Sequence, residues 1–397
     1  MTHTITYDTT LSIKRDGKEI ENHQSKTYED KGEIESLNKI TKDLVKSGDL
    51  NALEIRYLLT RACAFNDPSL ADDLIEGFNS STEAKPVNSL AMSPYTDRSS
   101  ATNDLAPLLP AAKHGMTSLV AKLLQKGENP NCVNLKRRSP LMIAAKRGHL
   151  AVVEVLLKDS RTGPNHLDNS GRTALMNAIY AGQTNTSMHL VSVPEIDLYV
   201  RDISGWNAML IGTNKRMVDI CIYIIEKAPH EENFGDILGL TALTLAAEVG
   251  LAKVVKALKK KAEDGIIDIN AVCKENHMTA LQYAVEYTLA ADPVDNKELG
   301  SKSAQHNATE GYETIAALLS IRGIDVNKGD CVGVTALEFA VSKGNVRVVK
   351  TLLKHENMKI SPDLLLSSAK NSRIHRLLCS YKDDHDLERT EAWFPSY

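Results

Sequence analysis

Arg138-Ser139-Pro140-Leu141-Met142-Ile143-Ala144-Ala145-Lys146-Arg147-Gly148-His149-Leu150-Ala151-Val152-Val153-Glu154-Val155-Leu156-Leu157 reads as two short helices with a break between them. Pro140 suits the first turn of a helix, where its missing N–H costs nothing. Leu141, Ala144 and Ala145 then mark one face, and the two alanines are small enough to let a neighbouring helix come close. Gly148 ends that helix. Val152, Val153, Val155, Leu156 and Leu157 give the second a broad apolar stripe. A loop containing Asn165 and Asp168 carries the chain onward. A helix pair of this size cannot bury its apolar surface alone and needs neighbours of the same shape.

Those neighbours are present. The opening phrase returns as Ala106-Pro107-Leu108, Thr173-Ala174-Leu175, Asn207-Ala208-Met209, Thr241-Ala242-Leu243, Thr279-Ala280-Leu281 and Thr335-Ala336-Leu337, with the middle residues 33, 34, 34, 34, 38 and 56 apart once Pro140 is included. Periodicity of this kind is the mark of a stacked array. A helix-closing Gly recurs at Gly115, Gly148, Gly182, Gly250, Gly311 and Gly344, and an Asn after the second helix at Asn131, Asn165, Asn270 and Asn327. Between units stands Asp-x-x-Gly: Asp168 to Gly171, Asp202 to Gly205, Asp236 to Gly239 and Asp330 to Gly333.

The pattern over roughly 105–360 resembles the ankyrin repeat. The resemblance implies an all-α solenoid with short β-turn fingers, two antiparallel helices per unit, and protein binding through finger tips and first helices on a concave face. The family's Thr-Pro-Leu-His phrase lacks its His here. Leu109, Met142, Met176, Leu210, Thr244, Gln282 and Glu338 hold that slot, so the Thr-to-His hydrogen bonds of consensus repeats are expected to be missing. The unit at Thr173 is weak in its second helix, where Thr186, Ser187 and His189 stand at positions that are Val152, Val153 and Val155 one repeat earlier. The next unit has Arg216 in place of Gly, which puts the array's weak joint between these two.

Outside the clear units, residues 1–32 form a tail or small hairpin around Asp16-Gly17, and 33–78 a helical region comprising an extra helix at 33–46 and a degenerate first repeat. In that repeat Leu59, Ala62, Leu74 and Ile75 copy the repeat's apolar positions, and Asp67-Pro68 breaks the helices. Residues 79–104, rich in Ser, Thr and Asn, form a linker or long loop. The array then runs over 105–380, with an insertion at 288–310 that accounts for the 56 spacing and a helical C-terminal cap around Leu364, Ile374, Leu377 and Leu378. An acidic tail occupies 381–397.

A net charge of −4 and few aromatics argue against a general nucleic-acid binder. No stretch approaches the length of a membrane span, and no secretory leader opens the chain. The six cysteines make no C-x-x-C pair or zinc spacing, which fits free thiols in a reducing cytosol. The expectation is therefore a cytoplasmic monomer without metal or cofactor. No GxGxxG, Walker loop, HExxH or GxSxG is present and no catalytic residue is assigned. The alternative is a small enzymatic domain within 1–104, targeted by the array. The irregular repeats and polar inserts also resemble, in style of composition, ankyrin effectors that intracellular bacteria deliver into host cytoplasm.

A protein partner is expected on the fingers. The residue just before each opening phrase reads Arg138, Arg172, Trp206, Leu240, Met278 and Val334 down the array, with Ile237, Leu238, Cys331 and Val332 at neighbouring finger positions. Apolar side chains where water belongs indicate contact surface, and Trp, Met and Arg are enriched in such surfaces. The two arginines are expected to meet acidic groups. The other reading of this row is fingers that fold onto one another or that are covered by the insertion at 288–310.

Overall fold

The computed structural model describes residues 3–6, 11–15, 18–23, 52–80, 106–227, 235–292, 302–369 and 371–391. The expected extra helix at 33–46 lies outside them, as do 81–104 of the expected linker and 293–301 of the expected insertion. The chain divides into two compact units, Met1–Ala178 and Ile179–Tyr397.

The first unit opens with a three-stranded antiparallel meander: β1 (His3–Thr6), β2 (Leu11–Arg15) and β3 (Lys18–His23). Ile5 pairs with Ile13, and the β2–β3 register shifts between Ile13 and Lys14. The stretch read as a tail or small hairpin thus holds one strand more than a hairpin. Helices follow in pairs: α1 (Ala52–Ala64) with α2 (Pro68–Ser80), α3 (Leu108–His114) with α4 (Thr117–Gln125), and α5 (Pro140–Arg147) with α6 (Leu150–Lys158). First helices pack on first helices, α1 on α3 on α5, and second on second, α2 on α4 on α6. The interior between the rows holds Leu59, Leu74, Ile75, Leu108, Leu141 and Leu156, with Ala111, Ala112, Ala144 and Ala145 at the close approaches, all buried.

Chain ends within each pair follow from the same residues the sequence singled out. The Ser139 hydroxyl accepts from the Met142 N–H at 3.3 Å, and Pro140 occupies the first helical turn. Asp67 does the same for α2, accepting from the Leu70 N–H at 3.0 Å. Gly148 takes a left-handed backbone (φ 78°) to turn α5 into α6, a conformation in which a Cβ would be strained.

Helix α7 (Ala174–Tyr180) begins in the first unit and ends in the second. The second unit continues with α8 (Thr184–Ser192), α9 (Ala208–Asn214) with α10 (Val218–Lys227), α11 (Ala242–Glu248) with α12 (Ala252–Glu263), α13 (Ala280–Ala291) with α14 (Lys302–Leu319), and α15 (Ala336–Ser342) with α16 (Val346–Leu352). The capping pair is α17 (Pro362–Ser368) and α18 (Ser372–Glu391). The same two rows recur, α9-α11-α13-α15-α17 and α8-α10-α12-α14-α16-α18. Eighteen helices stand among the described residues, and the array itself is all-helical. Helix α18 carries the acidic stretch on to Glu391, so much of the expected tail is helical.

Three local findings differ from the sequence reading or explain it. First, the missing His of the opening phrase is replaced functionally. Gln282 Oε1 accepts from the Thr279 N–H at 2.7 Å, while its Nε2 donates to the Val334 carbonyl of the following unit at 2.7 Å. Glu338 and Thr244 close the same reciprocal cap on Thr335 and Thr241. The Thr-to-slot bonds therefore exist with other partners. Second, Gly311 does not close a helix. It lies inside α14, where a Cβ would stand 2.5 Å from Thr288 Oγ1, so its role is the close approach of α13 and α14. Residues 288–291 and 302–310 lengthen those two helices instead of forming a loop. Third, Arg216 replaces a helix-closing Gly in a left-handed conformation (φ 57°). Its guanidinium donates to the Val249 carbonyl and, at 2.5 Å, to Glu310 on α14.

Candidate protein-interaction surface

The fingers are built by one carboxylate each. In the finger from Asp202, Oδ1 accepts from the Ser204 and Trp206 N–H groups at 2.9 Å, and the Asp202 N–H donates to the Trp206 carbonyl at 2.9 Å. Gly205 then supplies the left-handed turn (φ 78°). Asp168, Asp236 and Asp330 repeat these bonds at 2.9–3.1 Å. In the first finger of this kind, Asn134 Oδ1 takes the place of the carboxylate, accepting from Lys136 and Arg138 at 3.0 Å.

This geometry decides which finger residues meet water. The two residues after the Asp form the tip, and no cover is available to them. Ile203 is 76% exposed, Ile237 62%, and Val332 77%; Leu238 is exposed as well. The residue after the Gly is drawn back by its N–H bond to the Asp, so Trp206, Leu240 and Val334 are half-buried, as is Met278 at the equivalent place. The row chosen from the sequence is thus the base of the fingers, and Ile237 and Leu238 are its tip members. Val332, also read from the sequence, is a tip residue too, and Ile203 completes the tips. Ile203 was readable within Asp202-Ile-Ser-Gly205, where the turn itself fixes its place.

Neighbouring fingers of the second unit are joined through their backbones. The Lys274 N–H donates to the Leu238 carbonyl at 2.9 Å, and the Cys331 N–H to the Asn276 carbonyl at 3.1 Å. Arg201 donates to the carbonyls of Gly205 (3.0 Å) and Gly235. The fingers therefore do fold onto one another, through main-chain groups and the cationic side chains of Arg201 and Lys274. The apolar side chains of the tips stay outside.

Arg138 and Arg172 belong to the first unit, in two fingers that are also joined: the Asn169 N–H donates to the Lys136 carbonyl at 3.1 Å. Arg138 Nε stands 3.4 Å from Asp168 Oδ2, so part of its charge answers a carboxylate of this chain. Burial opposes ionisation of Asp168, yet the N–H groups of Arg172 and Ser170 and the side chains of Asn177 and Arg138 overcome it and hold its carboxyl below the ordinary range. Lys146 on α5 is depressed chiefly by the neighbouring Arg138, with burial and then Lys136, Arg147 and Arg172 adding to it. In the second unit the corresponding place on α11 is Glu248, raised by burial and by Glu286 on α13.

Among the described residues no group of three or more His, Cys, Asp or Glu could hold a metal ion, and no helix is long and apolar enough to cross a membrane. The six cysteines are unbridged, and burial pushes the thiols of Cys63 and Cys132 up to about 12 and Cys221 to about 11.

The family model described as ankyrin repeats (3 copies) matches residues 108–202, the stretch that holds α3 to α8. Residues 108–202 are ankyrin repeats. An ankyrin repeat domain-containing protein, SAT10 of Stachybotrys chartarum, is 38% identical over 93 residues, which is 22% of this chain and 5% of that protein's length. Solved structures similar to this one include the human ASB11 ankyrin repeat domain (21% identical, TM-score 0.44, 64% of this chain and 99% of that one). The ankyrin repeat domain of Bcl-3, a member of the IkappaB family, is 20% identical with a TM-score of 0.48, over 65% and 99% of the two chains. Ankyrin repeats are the domain these comparisons identify, and no catalytic domain is among them. None of these matches supports an effector delivered by intracellular bacteria.

Proposed function

We propose that this chain is a non-catalytic ankyrin scaffold that binds a protein partner through the apolar fingers of its second unit. Ile203, Ile237, Leu238 and Val332 supply the tips, with Trp206, Leu240, Met278 and Val334 beneath them. The carrying observation is that the finger backbones are hydrogen-bonded to one another while the tip side chains of Ile203, Ile237, Leu238 and Val332 lie in water. Exposed apolar groups held in a bonded row bury area on contact without a large ordering cost. Half-buried Trp206 has the chemistry of an anchor, since Trp is enriched where truncation costs about 2 kcal/mol or more. Arg138 and Arg172 serve as a separate, charged contact on the first unit.

The test compares full-length wild type with Ile237→Asp/Leu238→Asp and with Trp206→Ala as bait in one lysate. Helicity is followed in parallel. The reading expects recovered partners to fall about tenfold or more with the Asp pair, an effect of about 1.4 kcal/mol, and to fall with Trp206→Ala. Equal recovery by all three baits at equal helicity contradicts it.

A further inference from the structure

Residues 129–153 contain five Lys or Arg and no Asp or Glu, in a chain whose net charge is −4. The fold concentrates that charge. Lys136 and Arg138 stand in one finger of the first unit and Arg172 in the next, and the two fingers are hydrogen-bonded through Lys136 and Asn169. Lys113 and Lys146 hold the same position at the ends of α3 and α5, which pack side by side, and Arg147 follows Lys146. Lys113, Lys136, Lys146 and Arg147 are exposed.

A helix C-terminus favours a cation nearby, which accounts for Lys146 or Arg147 on structural grounds. It does not account for the finger cations, nor for their crowding. The charges are close enough that Arg138, Lys136, Arg147 and Arg172 all disfavour the protonated form of Lys146. One buried carboxylate, Asp168, is paired with Arg138. Crowded like charges raise the folded state's energy, and such arrangements gather where a counter-charge is to be received.

We infer that the first unit carries a receptor for an acidic segment of a protein, formed by Lys136, Arg138 and Arg172 on the fingers and Lys113, Lys146 and Arg147 on the first helices. This rests on the reading of the chain as a protein-binding scaffold and names the chemistry of its first-unit contact. Guanidinium groups offer carboxylates a two-pronged donor pair, and the lysines add point charge. A protein segment fits better than a nucleic acid, because residues 106–178 contain no Phe, Trp or Tyr on which bases could stack.

The experiment uses the full chain and three labelled probes of equal length: a peptide of alternating Glu and Ser, the same peptide with Gln for Glu, and oligothymidylate. Anisotropy is read from about 50 mM to about 200 mM salt. The Glu peptide should bind, weaken about tenfold or more across that range, and lose about tenfold or more in Lys136→Glu/Lys146→Glu. Both lysines are exposed, so the variant keeps its fold, checked by helicity. The milder pair Lys136→Gln/Lys146→Gln should lose part of the binding. Trp206→Ala should leave it unchanged. No binding of the Glu peptide, equal binding of the Gln peptide, tighter binding of oligothymidylate, or indifference to the charge reversals overturns the inference. The scaffold reading survives that failure if lysate capture still depends on Ile237 and Leu238.

Discussion

One repeat position tells the two units apart. Near the end of the first helix the first unit has Lys113 and Lys146, whereas the second has no cation there and reads Tyr180, Asn214, Glu248, Glu286 and Ser342. The finger tips differ less: the first unit has Leu135-Lys136, with Leu135 68% exposed, against Ile203-Ser204 and Ile237-Leu238 in the second. Yet the interior phrase is constant, with Leu141, Leu175, Leu243, Leu281 and Leu337 buried in every case. The array thus separates two jobs by position. Residues between the helix rows decide whether the stack forms; in the proposed reading, residues on tips and first-helix ends decide what it touches. Like charges crowd at the second kind of place in both units, with opposite sign.

That separation can be broken most forcefully by stability measurements. Leu156→Ala removes a fully buried side chain from the first unit and should cost about 3 kcal/mol in urea unfolding. Ile203→Ala, at a tip, should stay within about 0.5 kcal/mol of wild type. Similar losses at both sites would show that the tips carry structure after all.

A smaller effect is expected in α8, where the scaffold positions themselves depart from the rule. Thr186 and Ser187 are buried, and the Ser187 hydroxyl has no hydrogen-bond partner among the described residues. An unsatisfied buried hydroxyl costs about 1 kcal/mol or more. Ser187→Ala should therefore stabilise the chain by about 1 kcal/mol, and amide exchange should run faster over 183–192 than over 150–158. Destabilisation by Ser187→Ala, or equal protection of the two helices, would refute this.

The smallest effect concerns the finger carboxylate. A carboxyl depressed in the folded chain contributes stability above its unfolded value, and that stability is lost as pH falls through the folded one. Asp168→Asn keeps the backbone acceptor, as Asn134 does in the preceding finger, and removes the titration. Between about pH 5 and about pH 3 wild type should lose more stability than Asp168→Asn. Parallel acid limbs would mean that the finger's bonds do not depend on charge.

The interior was legible because burial imposes a period. Small residues at Ala144, Ala145 and their counterparts, and the Gly after them, can be read without knowing any partner. The finger row spans two depths: the Asp of each finger draws the residue before Thr-Ala-Leu inward, while Ile237 and Leu238 stand at the tip. The lysines at 113 and 146 were equally visible, but taken singly they look like solvated charges. Contacts such as Arg216 to Glu310, 94 residues apart, leave no local trace. Nor did the slot that lacks His announce that Gln282 would reach the next unit, since that needs the stacking distance as well as the side chain.

The most direct test of position-divided roles is side-chain footprinting of the full chain by carbene labelling, free and bound to whichever partner Ile237→Asp/Leu238→Asp fails to capture. The account expects protection at Ile203, Trp206, Ile237, Leu238 and Val332, with the exposed face of α10, α12 and α16 labelled as in the free chain. Protection confined to those second helices, with the finger tips labelled alike in both states, would contradict it.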